Sequence, residues 1–145
     1  MNPTFIIAEA GVNHNGDADM AFALIDAAAK AGVNAVKFQT FQADLLATKQ
    51  TPKADYQKAL TDEHESQWQM LKCLELPQHL HHKLKDYAEH LGLEFMSTGF
   101  DEPSTDFLLG LNLNRYKIPS GELTNAPLLW RTARSRKPLI LSTGM

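Results

Sequence analysis

Five short apolar runs with the pattern of β-strands alternate along the chain with segments of helical periodicity. The runs occupy residues 5–8, 34–40 and 94–97, the stretch that begins at Arg115, and residues 138–141. A strand, a helix and a second strand within about 40 residues predict a parallel pair joined by a crossover helix. Repetition of this unit predicts an α/β fold with about five parallel strands and crossover helices.

Polar residues close or follow each predicted strand at its carboxyl end. They are Glu9; Lys37 and Gln39; Ser97 and Thr98; Lys117, Ser120 and Glu122; and Ser142 and Thr143. In an α/β barrel these strand ends share one rim, and active sites of such barrels lie on that rim. An open doubly wound sheet would gather some of the same residues in a crevice. The pattern alone therefore allows either arrangement.

The stretch 115–122 is the strongest single candidate for a functional site. Apolar residues alternate there with Arg115 and Lys117, so one face of a short strand is cationic and the other is apolar. A proline and a glycine then end the strand and leave Ser120 and Glu122 beyond it. A cation, a hydroxyl and a carboxylate this close together suit an anionic substrate on which a second group is polarised. A solvated strand end is the alternative interpretation.

Charge and composition exclude several classes of partner. The 145 residues carry a net charge of −3 with lysine and arginine scattered singly, which disfavours nucleic acid and anionic membranes. No stretch approaches the roughly 20 apolar residues of a membrane span. The single cysteine, Cys73, cannot form an internal disulfide, and we predict a buried thiol in a protein of the reducing cytoplasm.

Two further segments invite functional interpretation. Residues 41–62 are too long for an ordinary connection, which predicts a functional lid. The predicted helix 77–91 carries four histidines, and we assign them to the polar face of a surface helix because no carboxylate or cysteine completes a metal site. The histidines are His79, His81, His82 and His90. We also interpret His14, in the loop after the first strand, as structural.

The polar residues at the predicted rim suit a phosphorylated substrate. The sequence contains neither a Gly-x-Gly-x-x-Gly motif nor a P-loop, so those nucleotide-binding devices have no support. Two lysines, Lys37 and Lys117, together with several hydroxyls would offset the desolvation of a phosphate. Glu9 and Glu122 would steer the hydroxyls of a sugar or take part in proton transfer.

Five ordered blocks of the sequence closely resemble the sialic acid synthase family. They are IIAEAGVNHNG at 6–16, VKFQT at 36–40, STGFD at 97–101, YKIPSGE at 116–122 and LSTGM at 141–145. The segment KADYQ at 53–57 is similar to the loop that follows the second strand in that family. The resemblance implies a partial TIM-type (β/α) barrel, with residues 1–145 corresponding to the first five strands of the family's eight-stranded barrel.

The same resemblance implies a reaction and a set of binding residues. Family members condense phosphoenolpyruvate with N-acetylmannosamine or a related amino sugar, and they release phosphate. The resemblance assigns Lys117 to catalysis with Glu9 and Glu122, and it assigns five residues to substrate binding. These five are Lys37, Gln39, Thr98, Ser120 and Ser142.

A divalent metal, manganese or magnesium, is the cofactor that the resemblance implies. The two family histidines that bind it correspond to positions beyond Met145, so we expect no metal ligands in this chain. The family's C-terminal antifreeze-like domain is likewise outside it. The resemblance therefore implies an N-terminal fragment or a truncated product that is nearly inactive alone. Because the first and fifth strands of an incomplete barrel expose unpaired edges, we expect self-association or a homodimer.

Three other interpretations remain open from the sequence. The first is a synthase for a related nine-carbon acid, legionaminic or pseudaminic acid, since the visible blocks would contact shared parts of the substrates. The second is a non-catalytic half barrel that assembles with another copy or with a full-length partner. The third is an aldolase or isomerase in which Lys117 or Lys37 forms a Schiff base.

Overall fold

The structure, a computed structural model, describes residues 3–50 and 66–144. The strands are β1 (Ile7–Gly11), β2 (Ala35–Thr40), β3 (Glu94–Gly99), β4 (Tyr116–Ile118) and β5 (Leu139–Leu141). The α-helices are α1 (Ala18–Lys30), α2 (Ala43–Leu46), α3 (Gln67–Cys73), α4 (Gln78–His90), α5 (Glu102–Gly110) and α6 (Ala126–Ala133). A 3₁₀ turn, Ser120–Glu122, follows β4.

All five strands are parallel, and they lie side by side in the order in which they occur in the sequence. A doubly wound sheet reverses its strand order at a switch point, whereas a (β/α) barrel adds each strand next to the previous one. The observed order therefore selects the barrel arrangement, and the prediction of a partial TIM-type barrel with about five strands is confirmed.

The helices cover the outer face of the sheet with an apolar core. Val36 and Phe38 of β2 and Phe95 of β3 pack there against Ile25 of α1 and Leu84 of α4. The rings of Phe38 and Phe95 stack with their centroids 5.7 Å apart. Because side chains alternate along a strand, the residues between these positions face the opposite, inner side. Burial of each such side chain stabilises the fold by about 1.5–3 kcal/mol.

Polar caps begin the helices that separate the strands. The Asp17 side chain accepts a hydrogen bond from Met20 N, and Asn125 caps α6 with a proline following it. Ser66 and Gln69 form a reciprocal capping box at the start of α3. Each cap satisfies backbone donors that have no partner within the helix, which fixes where the helix begins.

Strand boundaries differ from prediction at β1 and β3. Residues 5–8 were expected to form the first strand, but β1 begins at Ile7 and continues through Glu9 to Gly11. Phe5 instead lies exposed beneath the guanidinium of Arg115, with 4.0 Å between the charged carbon and the ring centroid. β3 extends two residues beyond the predicted end at 97 because its main chain pairs with β2 as far as Gly99.

Two other expectations concern the region between β2 and α4. The prediction of a buried thiol is wrong, because Cys73 is exposed at the end of α3, away from the stripe that α4 buries. The predicted lid at 41–62 contains α2, while its part from residue 51 onward, with the block at 53–57, lies outside the described residues. Within 3–50 and 66–144, no helix has the length and apolar character that a membrane crossing requires.

Candidate active site

The inner face of the sheet carries a row of polar side chains across four strands. Glu9 of β1 lies in register with Lys37 of β2. One layer closer to the carboxyl rim, Gln39 of β2 is in register with Thr98 of β3, and Thr98 with Lys117 of β4. Because the neighbours of these residues pack in the outer core, alternation directs all five side chains to the inner face.

Lys37 is the centre of this row. Its residue is only 8% exposed, and its ammonium forms an ion pair with the half-exposed carboxylate of Glu9. Lys37 Nζ also donates to Thr98 Oγ1 over 3.4 Å. An ammonium group has three donors, and these two contacts account for two of them. One donor of the ammonium group therefore has no described partner.

The side chains of Glu9 and Gln39 both lie next to Gly11. Gly11 has φ +54°, a left-handed conformation that favours glycine, at the point where β1 shifts register against β2. A Cβ added at Gly11 would lie 3.4 Å from Glu9 Oε1 and 3.6 Å from Gln39 Nε2. Both side chains therefore lie beside the space that a side chain at position 11 would occupy.

Lys117 supplies the second cation of the inner face. Its Nζ donates to the carbonyl oxygen of Ile118 over 2.8 Å, which leaves two donors for other acceptors. Burial lowers the pKa of Lys117, the charge of Lys37 lowers it further, and Glu9 opposes that shift. The electrostatic influence of Lys37 on Lys117, and the register of Lys117 with Thr98, place the two lysines on the same face. An anion between them would relieve their repulsion.

The remaining predicted residues lie farther along the rim. The Glu122 carboxylate accepts a hydrogen bond from Asn125 Nδ2 over 2.6 Å. Ser120 is exposed in the 3₁₀ turn, and Ser142 follows β5, where its backbone N donates to Ile118 O. Across 3–50 and 66–144, no side-chain hydrogen bond or ion pair joins these three residues to Glu9, Lys37 or Thr98.

His81 corrects the interpretation of the four histidines as one solvated surface. The other three are exposed, but His81 is completely buried, with its ring edge-on to Phe107 at 5.2 Å between centroids. Burial lowers the pKa of His81 to about 4, with the charges of His14 and His82 acting in the same direction. The sequence signal was available, because position 81 precedes Leu84 by three residues and lies on the buried stripe.

Asp101 is a second residue whose contribution the sequence only partly revealed. It caps α5, with Oδ1 accepting from Ser104 N over 2.7 Å. Its Oδ2 also accepts from Gln42 N over 2.8 Å and from the Ser104 hydroxyl over 2.9 Å. The carboxylate therefore ties the loop after β2 to the loop after β3, behind the residues that line the inner face.

His14 has the geometry of a loop-stabilising residue. It is completely buried, and its Nδ1 accepts a hydrogen bond from Gly16 N over 3.0 Å. Burial lowers the pKa of His14, which keeps the ring neutral at pH 7. These contacts agree with the structural interpretation.

The residues present do not form a metal centre. Throughout the described ranges, no three histidine, cysteine, aspartate or glutamate side chains cluster closely enough to hold an ion. Glu122 is a hard oxygen donor near the rim, but its described hydrogen-bond partner is an amide. No chemical step is therefore assigned to a metal held by this part of the chain.

Comparison with known proteins agrees with the partial barrel. An α/β half barrel with a cationic inner face belongs to the large class of barrel proteins that bind ligands at the carboxyl ends of their strands. Residues 24–145 match the NeuB family, and the chain belongs to this family.

Relatives in this family differ in the acid that they make. The chain is 57% identical to N,N′-diacetyllegionaminic acid synthase of Legionella pneumophila, over 97% of this chain and 40% of the relative. It is 48% identical to the Campylobacter jejuni enzyme of the same name, over 100% of this chain and 43% of that one. The chain thus spans about 40% of the length of these curated relatives.

A solved structure has the same arrangement of strands and helices. The N-acetylneuraminic acid synthetase of Leptospira borgpetersenii, solved in complex with citrate, superposes with a TM-score of 0.82 at 33% identity. The match covers 99% of this chain and 46% of the Leptospira chain.

Proposed function

We propose that this chain provides the phosphoenolpyruvate-binding part of a synthase that joins phosphoenolpyruvate to an amino sugar and makes a nine-carbon sugar acid. The observation that carries the proposal is the placement of Lys37 and Lys117 on one inner face, where Lys37 donates to Thr98 and Lys117 is in register with Thr98. Two ammonium groups with unassigned donors match the carboxylate and phosphate of phosphoenolpyruvate. Since the curated relatives are more than twice as long, the activity of a whole synthase is part of this proposal.

The reaction balances without an oxidant or reductant. The C2–C3 π electrons of phosphoenolpyruvate form a bond to the aldehyde carbon of the open-chain amino sugar, whose oxygen takes up a proton. Water adds at C2 and loses one proton. The C2 hydroxyl then loses the second proton to become the carbonyl, as phosphate leaves with the electrons of the C2–O bond. The product is a 2-keto acid. Lys37 and Lys117 hold the anion and offset the charge of the departing phosphate.

Glu9 and Gln39 would orient the amino sugar beside the anion. Glu9 Oε1 and Gln39 Nε2 both lie beside Gly11, so an acceptor and a donor are available there to the hydroxyls of a sugar. Glu122 lies farther along the rim, and we place it at the other end of the sugar. Thr98, Ser120 and Ser142 contribute hydroxyls to the phosphate or the carboxylate.

The acceptor sugar has two candidates. The Leptospira relative is named for N-acetylneuraminic acid, which corresponds to N-acetylmannosamine as the acceptor. The relatives at 57% and 48% identity are named for N,N′-diacetyllegionaminic acid, which favours a diacetylated acceptor. Both acceptors use the same phosphoenolpyruvate site, so the inner-face lysines serve either reaction.

Calorimetric titration tests the proposal directly. Phosphoenolpyruvate should bind the chain with measurable heat, and Lys117→Met should weaken that binding by about 10-fold because one of two cations is removed. Lys30→Met, at the exposed end of α1, is the matched control and should bind as the unaltered chain does. Absence of heat from the unaltered chain would contradict the proposal and favour a non-catalytic assembly module.

Borohydride trapping separates this chemistry from that of a Schiff-base aldolase. The proposed reaction has no covalent lysine adduct, so reduction in the presence of either acceptor sugar should leave the mass of the chain unchanged. A mass increase at Lys37 or Lys117 would instead identify an imine-forming enzyme.

A further inference from the structure

His81 belongs to a chain of hydrogen bonds on the outer face of the sheet, on the side opposite the inner-face site. Its Nε2 lies 2.7 Å from Thr40 Oγ1, and Thr40 Oγ1 lies 2.6 Å from Ser97 Oγ. Its Nδ1 lies 3.1 Å from the carbonyl oxygen of Pro77. Thr40 and Ser97 are both buried on the outer face.

The Pro77 carbonyl determines the direction of every bond in this chain. A carbonyl can only accept, so Nδ1 of His81 carries the proton, and the Nε2 of the neutral ring accepts from the Thr40 hydroxyl. The Thr40 oxygen then accepts from the Ser97 hydroxyl. One tautomer satisfies the whole network, and each buried polar atom in it has a partner.

The two hydroxyl residues are the immediate neighbours of two inner-face residues. Thr40 follows Gln39 on β2, and Ser97 precedes Thr98 on β3, while Gln39 and Thr98 are themselves in register. A contact that fixes Thr40 against Ser97 on the outer face therefore fixes Gln39 against Thr98 on the inner face. A slip along the strands would separate both pairs together.

We propose that His81 is a positioning residue for the inner-face site, acting through Thr40 and Ser97 to hold the carboxyl ends of β2 and β3 in register. The proposal rests on the proposed function, because the site that it positions is the phosphoenolpyruvate site. Its effect reaches Lys37 through Thr98, which accepts the hydrogen bond from Lys37 Nζ. His81 itself touches no substrate.

Two substitutions at position 81 separate hydrogen bonding from packing. His81→Leu keeps an apolar contact with Phe107 and removes the acceptor for Thr40, so phosphoenolpyruvate should bind about 10-fold more weakly. His81→Gln offers its amide oxygen to Thr40 and should restore affinity to within about 3-fold of the unaltered chain. His82→Leu, one position along on the exposed side of α4, is the matched control and should bind normally.

A double-mutant cycle identifies the route of the effect. Thr40→Val removes the hydroxyl at nearly constant shape and should weaken binding about as much as His81→Leu does. If His81 acts through Thr40, the double variant should bind no more weakly than either single variant. Additive losses, or equal affinities for His81→Leu and His82→Leu, would overturn the proposal.

Residue-resolved amide hydrogen exchange keeps the test independent of the ligand. His81→Leu should speed exchange in β2 and β3 near Gln39 and Thr98, whereas His82→Leu should leave it unchanged. If the unaltered chain binds no phosphoenolpyruvate but exchange responds in this way, the proposed function fails and the role of His81 in the register stands. If binding is present and exchange is unaffected by His81→Leu, the positioning role fails alone.

Discussion

The rim has two parts, the first formed by β1 to β3 and the second by β4 and β5. They differ in the described side-chain contacts that join their site residues. Lys37 of β2 contacts both Glu9 of β1 and Thr98 of β3 directly. Ser120, Glu122 and Ser142 follow the three-residue strands β4 and β5, and their described contacts are local. β2 and β3 pair over six residues each, with a buried polar network behind them, so longer pairing and outer-face support organise the first part of the rim.

Acid should destabilise the fold through His81, whose hydrogen bonds support the first part of the rim. His81 binds a proton with a pKa of about 4 when folded and about 6.5 when unfolded, so the unfolded chain takes up more protons between these values. The free energy of unfolding should therefore fall by roughly 3 kcal/mol between pH 7 and pH 4 through His81 alone.

The pH effect can be assigned by comparing two proteins. Urea unfolding at several pH values should show a shallower acid dependence for His81→Gln than for the unaltered chain. His14, also buried, contributes in the same direction in both proteins and cancels in the difference. If the free energy of unfolding depended on pH equally in the two proteins, the lowered pKa of His81 would be contradicted.

Removal of the Lys37 charge should break the side-chain contacts that Lys37 makes with Glu9 and Thr98. Lys37→Met leaves Glu9 without its ion pair and removes one anion contact, so affinity for phosphoenolpyruvate should fall by about 30-fold. Lys85→Met, which breaks a surface pair with Glu89 on α4, is the control. Equal affinities of the two variants would place the anion site elsewhere.

Asp101→Asn tests whether the tie between two rim loops stabilises the fold. Asparagine retains one oxygen for the cap of α5 but cannot accept from Gln42 N with its amide nitrogen. The expected loss is about 1–2 kcal/mol in the free energy of unfolding, measured with urea. Asp86→Asn, an exposed carboxylate on α4, should change it by less than about 0.5 kcal/mol.

Two hydroxyl deletions, one in each part of the rim, should give the smallest effects. Thr98→Val removes the oxygen that accepts from Lys37, and affinity should fall by about 5-fold. Ser120→Ala removes an exposed hydroxyl, and affinity should fall by no more than about 2-fold. The reverse order in calorimetry would mean that the second part of the rim contributes more to anion binding.

The sequence was sufficient to predict features that depend on local pattern. It did not predict features that depend on contacts between segments distant in the chain. The alternation of strands and helices correctly indicated about five parallel strands with crossover helices. The buried position of His81 depends on Thr40 and Ser97, which are 41 residues and 16 residues away in the chain. The second contact of Asp101, with Gln42, spans 59 residues and has no local signature either.

The central claim is that Lys37 and Lys117 both bind the same molecule of a phosphorylated acid. Nuclear magnetic resonance of ¹³C-labelled lysine side chains tests this claim most directly. Phosphoenolpyruvate should shift the signals of both lysines along one binding curve and raise the lowered pKa of Lys117, because the bound anion favours its charged form. Shifts in only one of the two lysines, or different dissociation constants for the two, would contradict the account.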